Sequence, residues 1–219
     1  MNTVRFITSD EVENIRFLYS IDRRSVGIEF TDDKITRIVE GSKRLIDEGR
    51  CHVPMIFDEN NTPIGMYLGY EIQPAGAWYV GLTKILQPTN HFSKTAKILA
   101  PALNLLLEKM ESRKLFKFWM SAPENWHNIR NKIMRRHSYM LDRYNWYDEF
   151  VIPRGKYSGV RAYDWYTSPC DWSDIVVRMF VLKQEHRVAL LRNNQDLQDY
   201  RGTIFNSLDN SYNMIQAPQ

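Results

Sequence analysis

Leu115 to Met120 reads Leu-Phe-Lys-Phe-Trp-Met, an almost unbroken apolar run of strand length. A strand on a half-wet sheet alternates apolar and polar residues, whereas a strand covered on both faces is apolar nearly throughout. The run therefore predicts a strand at the centre of a sheet with layers on both sides, and the rest of the chain has to supply those layers. With 219 residues, 43% of them hydrophobic and 25% charged, the chain has material for one core and lies outside the composition of disordered sequences.

Val4 to Ile7 reads as a short strand. Thr8-Ser9-Asp10 then offers cap oxygens to a helix carrying Val12, Ile15, Phe17 and Leu18. Thr31-Asp32-Asp33 caps a second helix whose Ile35, Ile38, Val39, Leu45 and Ile46 recur at helical spacing until Gly49 ends the run. Cys51 to Phe57 and Ile64 to Ile72 form a hairpin about the polar turn Asp58-Glu59-Asn60-Asn61-Thr62-Pro63, and Ala77 to Leu86 adds a third strand. Ser93 caps a long helix with Ala96, Ile98, Leu99, Leu103, Leu106, Leu107 and Met110 on its buried face. Pro101 is expected to kink that helix or to mark its start. Beyond the central run, Pro123-Glu124-Asn125 is a break. Trp126, Ile129, Ile133 and Met134 continue as a helix, and Tyr144 to Ile152 forms a closing strand that Pro153-Arg154-Gly155 ends. The expected order is β-α-α-β-β-β-α-β-α-β, an α/β chain.

This divides the sequence into a domain over 1–154, a helical extension over 155–192 and a polar tail or strapping arm over 193–219. The extension is read as one long helix from Asp171 to Leu191, capped by Asp171-Trp172-Ser173-Asp174, with Ile175, Val176, Met179, Phe180, Leu182, Val188 and Leu191 on its stripe. That stripe has to be covered either by the domain or by another chain; in the second case residues 171–219 are the site of a homo-oligomer or larger protein assembly.

Charge is uneven: residues 91–154 hold 12 Lys and Arg against 6 Asp and Glu, which suits an anionic partner. Cys51 and Cys170 lie far apart and outside any Cys/His cluster. The histidines at 52, 91, 127, 137 and 186 lack ligand spacing, so no metal site is expected. The N-terminus has no apolar signal core, and no stretch approaches the roughly 18 apolar residues of a membrane span, so a cytoplasmic or virion location without a membrane partner is expected.

The element order, the hairpin turn DENNTP and the segment SAPENWHNIRNKIMRRHSYMLDRYNWYDEFVIP resemble the GNAT superfamily of acyl-CoA N-acyltransferases over residues 1–154. The resemblance implies a GNAT-like mixed central sheet flanked by helices, here with a C-terminal helical extension, and transfer from acetyl-CoA or another acyl-CoA to an amine-bearing acceptor. It implies that the pyrophosphate meets a loop entering the long helix, of the pattern Arg/Gln-x-x-Gly-x-Gly/Ala. The matching stretch, Pro88 to Ala96, contains no glycine. With Ala96 in the last small position, His91 takes the Arg/Gln position and Lys94 the central one. Lys94 then supplies charge, and Ser93 and Thr95 hydroxyls; Leu86, His91, Phe92, Ser93, Lys94, Thr95 and Ala96 are the cofactor-binding residues so implied.

Many members carry a proton-donating tyrosine on the last helix, about five residues before a Gly-aromatic pair. Ser138-Tyr139 corresponds best to that pair, which places Met134 at the tyrosine position and leaves Tyr139 and Tyr144 as substitute donors. Glu71 is the candidate base. Two other readings stay open: a catalytically inactive GNAT-fold structural or assembly protein, a pattern some bacteriophage virion proteins resemble, and a GNAT-like DNA-modifying or nucleic-acid-binding protein using the basic segment.

Overall fold

The chain enters its fold through strand β1 (Thr3–Phe6) and a 3-10 turn (Ser9–Glu11) that leads into α1 (Glu13–Ile21). These elements and those below come from a computed structural model, which describes residues 2–25, 28–72, 77–86, 92–123, 132, 134–152 and 175–191. A small ribbon of β2 (Arg24–Ser25) and β3 (Ile28–Glu29) separates α1 from α2 (Asp32–Asp47). Thr31 caps α2 by accepting the Lys34 N–H at 3.3 Å. Gly49 ends it at φ 68°, where the N–H groups of Arg50 and Gly49 return to the carbonyls of Leu45 and Ile46 at 2.8 and 2.9 Å.

The expected hairpin forms as β4 (Cys51–His52), β5 (Pro54–Phe57) and β6 (Pro63–Ile72), followed by β7 (Ala77–Ile85). Asp58 organises the turn by accepting the N–H groups of Asn60 and Thr62 at 2.9 and 2.8 Å through its carboxylate. Then come α3 (Phe92–Ser112), β8 (Lys117–Pro123), α4 (Ser138–Arg143), β9 (Tyr144–Ile152), β10 (Ile175–Leu182) and α5 (Gln184–Leu191). Among the described residues the main sheet has eight strands in the order β1, β5, β6, β7, β8, β10, β9, with β4 also on β6. Every pairing is antiparallel except β7 with β8.

The sheet carries a core on each face, and Phe116, Phe118 and Met120 of the central run belong to the one under α3. One face packs under α1 and α2 through Ile15, Leu18, Ile35, Ile38, Met55, Leu68 and Tyr79. The other packs under α3 through Leu99, Leu103, Leu106, Trp78, Val80 and Phe118. Among the described residues no helix is long and apolar enough to cross a membrane.

Three expectations need correction. Pro101 does not mark the start of α3; the helix runs from Phe92 through it. Pro101 and Lys97, whose carbonyl loses its partner, are both exposed, so water can take that bond. The central strand begins at Lys117 because Leu115 is used to close α3: Lys114 adopts φ 60°, and the Leu115 N–H returns to the Met110 carbonyl at 3.0 Å. Most consequentially, the single helix expected over Asp171–Leu191 is strand β10 followed by the short helix α5. β10 lies between β8 and β9, so the sheet expected to be complete by Arg154 takes a strand from beyond it, and Tyr144–Ile152 is an edge. Most of the helix expected over Trp126–Met134, residues 155–174 with Cys170, and the tail over 193–219 lie outside the described residues.

Candidate active site

β7 and β8 are neighbours only at their beginnings. Their parallel register joins Trp78, Tyr79 and Val80 to Phe118, Trp119 and Met120, and ends there. Beyond it, β7 stays with β6 as far as Ile85, opposite Gly65, while β8 stays with β10 as far as Pro123, opposite Ile175. The sheet therefore divides into two halves that share a base and part toward the C-terminal ends of the two parallel strands, the end at which open α/β sheets take ligands.

The parting coincides with an irregularity in β7. Leu68 pairs with Leu82 but Gly69 pairs with Val80, so β7 carries one extra residue, Gly81, next to its last contact with β8. The bulge also reverses the alternation of β7. Trp78 and Val80 face α3 and Tyr79 faces α1 and α2, yet beyond Gly81 it is Ile85 that packs on the α3 side and Lys84 that turns to α1.

α3 returns from the open end of this cleft to the closed one. It follows β7, and at its far end Arg113 donates to Glu71 at 3.1 Å, on the residue of β6 opposite Trp78. The first turn of α3 thus lies at the mouth, where its N–H groups and positive dipole end face outward. Of the expected cofactor residues, Phe92 and Ser93 begin that turn, Lys94 is exposed, and Thr95 and Ala96 are buried at 7% and 2% exposure. Lys97, one turn on, is a second exposed cation. Leu86 is half-buried, its N–H held by the Ile64 carbonyl at 2.8 Å; His91 lies outside the described residues.

The three expected acid–base residues lie elsewhere. Glu71 is part of a clasp at the closed end: Arg113 bonds it, the Gly49 carbonyl and, at 3.4 Å, His52 Nε2, while His52 stacks on Trp78 with centroids 5.0 Å apart. Burial, aided by the charges of Lys109 and Arg113, holds His52 down at about 4. Tyr144 is buried against Phe118, and its hydroxyl donates to Glu111 Oε1 at 3.0 Å; burial pushes its pKa far up. Tyr139 lies half-buried under Arg143, with the guanidinium 5.0 Å from its ring centre, and burial raises its pKa too. Tyr144 and Leu182 are paired, and the Leu182 N–H reaches Phe116, so this group also belongs to the closed end. Met134 is buried in the α3-side core.

Sequence reasoning missed the bulge, the re-aimed Lys84 and the strand β10. Gly81 is the only local hint of the first. Among the described residues no three His, Cys, Asp or Glu side chains are arranged to hold a metal ion.

A strand edge that no described strand pairs on one side of a parting, with a helix N-terminus at its mouth, fits a long ligand that carries amides along its length and phosphates at one end. No protein-family model and no curated protein matches this sequence. Among solved structures it is similar to a spermidine N-acetyltransferase chimera from Vibrio cholerae and hSSAT, at 12% identity and a TM-score of 0.56, over 84% of this chain and 97% of that one. It is similar to the Salmonella typhimurium acetyltransferase that modifies the N-terminal serine of ribosomal protein L7/L12, at 14% identity and a TM-score of 0.57, over 83% and 95% of the two chains. A ribosomal L7/L12 α-N-protein acetyltransferase in complex with coenzyme A matches at 15% identity and a TM-score of 0.56, over 82% and 93%. With β10 completing the sheet, this chain has the fold of the GNAT acetyltransferase superfamily.

Proposed function

We propose that this chain transfers an acyl group from an acyl-CoA to an amine-bearing acceptor, in the cleft between β7 and β8. The parting of these two parallel strands at the Gly81 bulge carries the reading. Past the bulge, none of the described strands pairs with the edge of β7 that faces away from β6, and an extended amide-bearing chain such as pantetheine pairs with such an edge. The coenzyme's phosphates meet the first turn of α3, with Lys94 and Lys97 adding charge where the glycine-rich cradle of the family is absent.

The acyl-CoA supplies a thioester carbonyl open to attack. The protein's part is to hold that carbonyl at the apex of the cleft and to admit a neutral amine, which is itself the nucleophile. The carbon–nitrogen bond forms as the carbonyl–sulfur bond breaks; the amine nitrogen gives its proton to water, and the departing thiolate takes one from water. In this reading Glu71, Tyr139 and Tyr144 stabilise the closed end.

Isothermal titration with acetyl-CoA tests the proposal. Micromolar binding, weakened about tenfold or more by Lys94→Glu, supports it; no heat at millimolar acetyl-CoA sinks it. A second reading, a GNAT-fold assembly protein without catalysis, is favoured by the glycine-free stretch from Pro88 to Ala96 and by a buried methionine where a proton donor is expected. It gives no heat with acetyl-CoA and a mass above the monomer in light scattering.

A further inference from the structure

Lys84 owes its direction to the bulge. Under regular alternation it would share the α3 face of β7 with Trp78 and Val80; the extra residue turns it to the opposite face, where it is only 2% exposed. A buried ammonium is costly unless polar or charged groups receive it. Asp22 offers both kinds: Lys84 Nζ donates to its backbone carbonyl at 2.5 Å and to Oδ2 at 2.9 Å, and lies 5.2 Å from the centre of the Tyr19 ring.

Asp22 is the first residue after α1, so Lys84 meets the chain beside the negative C-terminal end of that helix, where a cation is favoured. It also begins the connection to α2, whose described ends bond to each other. β2 pairs with β3, the Phe30 N–H donates to the Arg23 carbonyl at 2.9 Å, and Arg23 pairs with Asp32 at 2.9 Å. β2 in turn lies against β7. The connection is thus a small self-bonded ribbon with a buried cation at its root.

We propose that Lys84 is a positioning residue: through Asp22 it clamps the α1–α2 connection onto β7, so that the bulge which opens the cleft also fixes the wall beside it. The use of that wall rests on the acyl-transfer reading, in which a coenzyme with its phosphates at the start of α3 leaves the opposite face to the acceptor. The clamp itself does not depend on it.

Amide exchange, followed by NMR on the full chain, tests the clamp in Lys84→Met, Lys84→Arg and Asp22→Ala. In Lys84→Met the amides of the connection, that of Phe30 among them, exchange about tenfold faster or more, and in Asp22→Ala, which loses Oδ2 but keeps the backbone carbonyl, they exchange several-fold faster, while those of the β5–β6 ladder keep their rates. Lys84→Arg, which keeps the cation, restores protection. Should Lys84→Met fail to fold, Asp22→Ala decides, because it leaves the buried strand untouched. Unchanged exchange in the connection overturns the proposal, and so does an equal acceleration over the whole sheet. Where the wild type transfers acetyl groups, Asp22→Ala raises the KM for the acceptor several-fold and leaves that for acetyl-CoA alone. A chain without transferase activity removes only this arm; the exchange result stands or falls by itself.

Discussion

The Tyr144 hydroxyl donates to Glu111 Oε1 at 3.0 Å, tying the start of β9 to the last turn of α3. The same carboxylate, 5% exposed, takes Arg143 through Nε at 3.1 Å and through Nη2, and Arg143 Nη1 reaches His186 Nδ1 on α5 at 3.3 Å. Removing the acceptor therefore strands a buried phenol and a guanidinium together. Glu111→Ala is expected to cost about 2–4 kcal/mol, and Tyr144→Phe, which deletes one neutral donor, about 1 kcal/mol. The double variant should cost less than the sum, because the two residues share one bond. Urea denaturation measures all three, and a Glu111→Ala midpoint equal to wild type would show that the carboxylate joins nothing.

Two glycines should respond to alanine in opposite senses. At Gly41, in the interior of α2, an added Cβ meets nothing within 4 Å, so Gly41→Ala gains helix propensity without a clash: about 0.5–1 kcal/mol of added stability. At Gly69 an added Cβ would stand 2.9 Å from Leu106 Cδ2 and 3.3 Å from Trp78 Cε3, in the layer between β6 and α3. Gly69→Ala overpacks that layer and is expected to cost about 1–3 kcal/mol. Thermal melts of the pair, moving in opposite directions, check both.

His137 is 1% exposed, and among the described residues neither ring nitrogen has a hydrogen-bond partner. Burial lowers its pKa from 6.5 to about 4, as it does for His52. Between those values the unfolded imidazoles bind protons that the folded ones refuse. Their contribution is complete above pH 6.5 and is lost as the pH falls toward 4. His137→Leu removes one of the two titrations and two unsatisfied polar atoms. The variant should be more stable at pH 7, by about 1 kcal/mol or more, with a flatter loss of stability between pH 6.5 and 4. An unaltered slope would mean that His137 is not the group taking up the proton.

Local patterns made most of the fold legible. The Thr31 cap, the Gly49 stop and the turn about Asp58 each depend on residues within a few positions of one another, and the sequence predicts each where it occurs. The cleft is different in kind. Gly81 is one glycine in a β-prone run, and its role becomes visible only when the registers of β6 and β8 are set beside it. Lys84 reads as an interruption in an apolar strand until the bulge and Asp22 give it a direction. Ile175 to Leu182 fits a helical stripe as well as a buried strand, because in a short, nearly continuous apolar run periodicity does not separate the two; its β-branched residues were the usable signal.

The position of β10 makes the sharpest test. It pairs with β8 from Pro123 to Lys117 on one side and with β9 on the other, and its Phe180 stacks on Phe118 with ring centroids 4.6 Å apart. A chain ending at Arg154, where the apolar strands first run out, would leave the central strand β8 with an open edge, detach β9 from the sheet and uncover Phe118. Such a chain should be insoluble or should lack a cooperative melt, whereas one ending after Leu191 keeps every described strand and should melt as the full chain does. Circular dichroism during heating distinguishes them: a cooperative transition in the chain ending at Arg154 would show that β8 and β9 hold together without the strand between them.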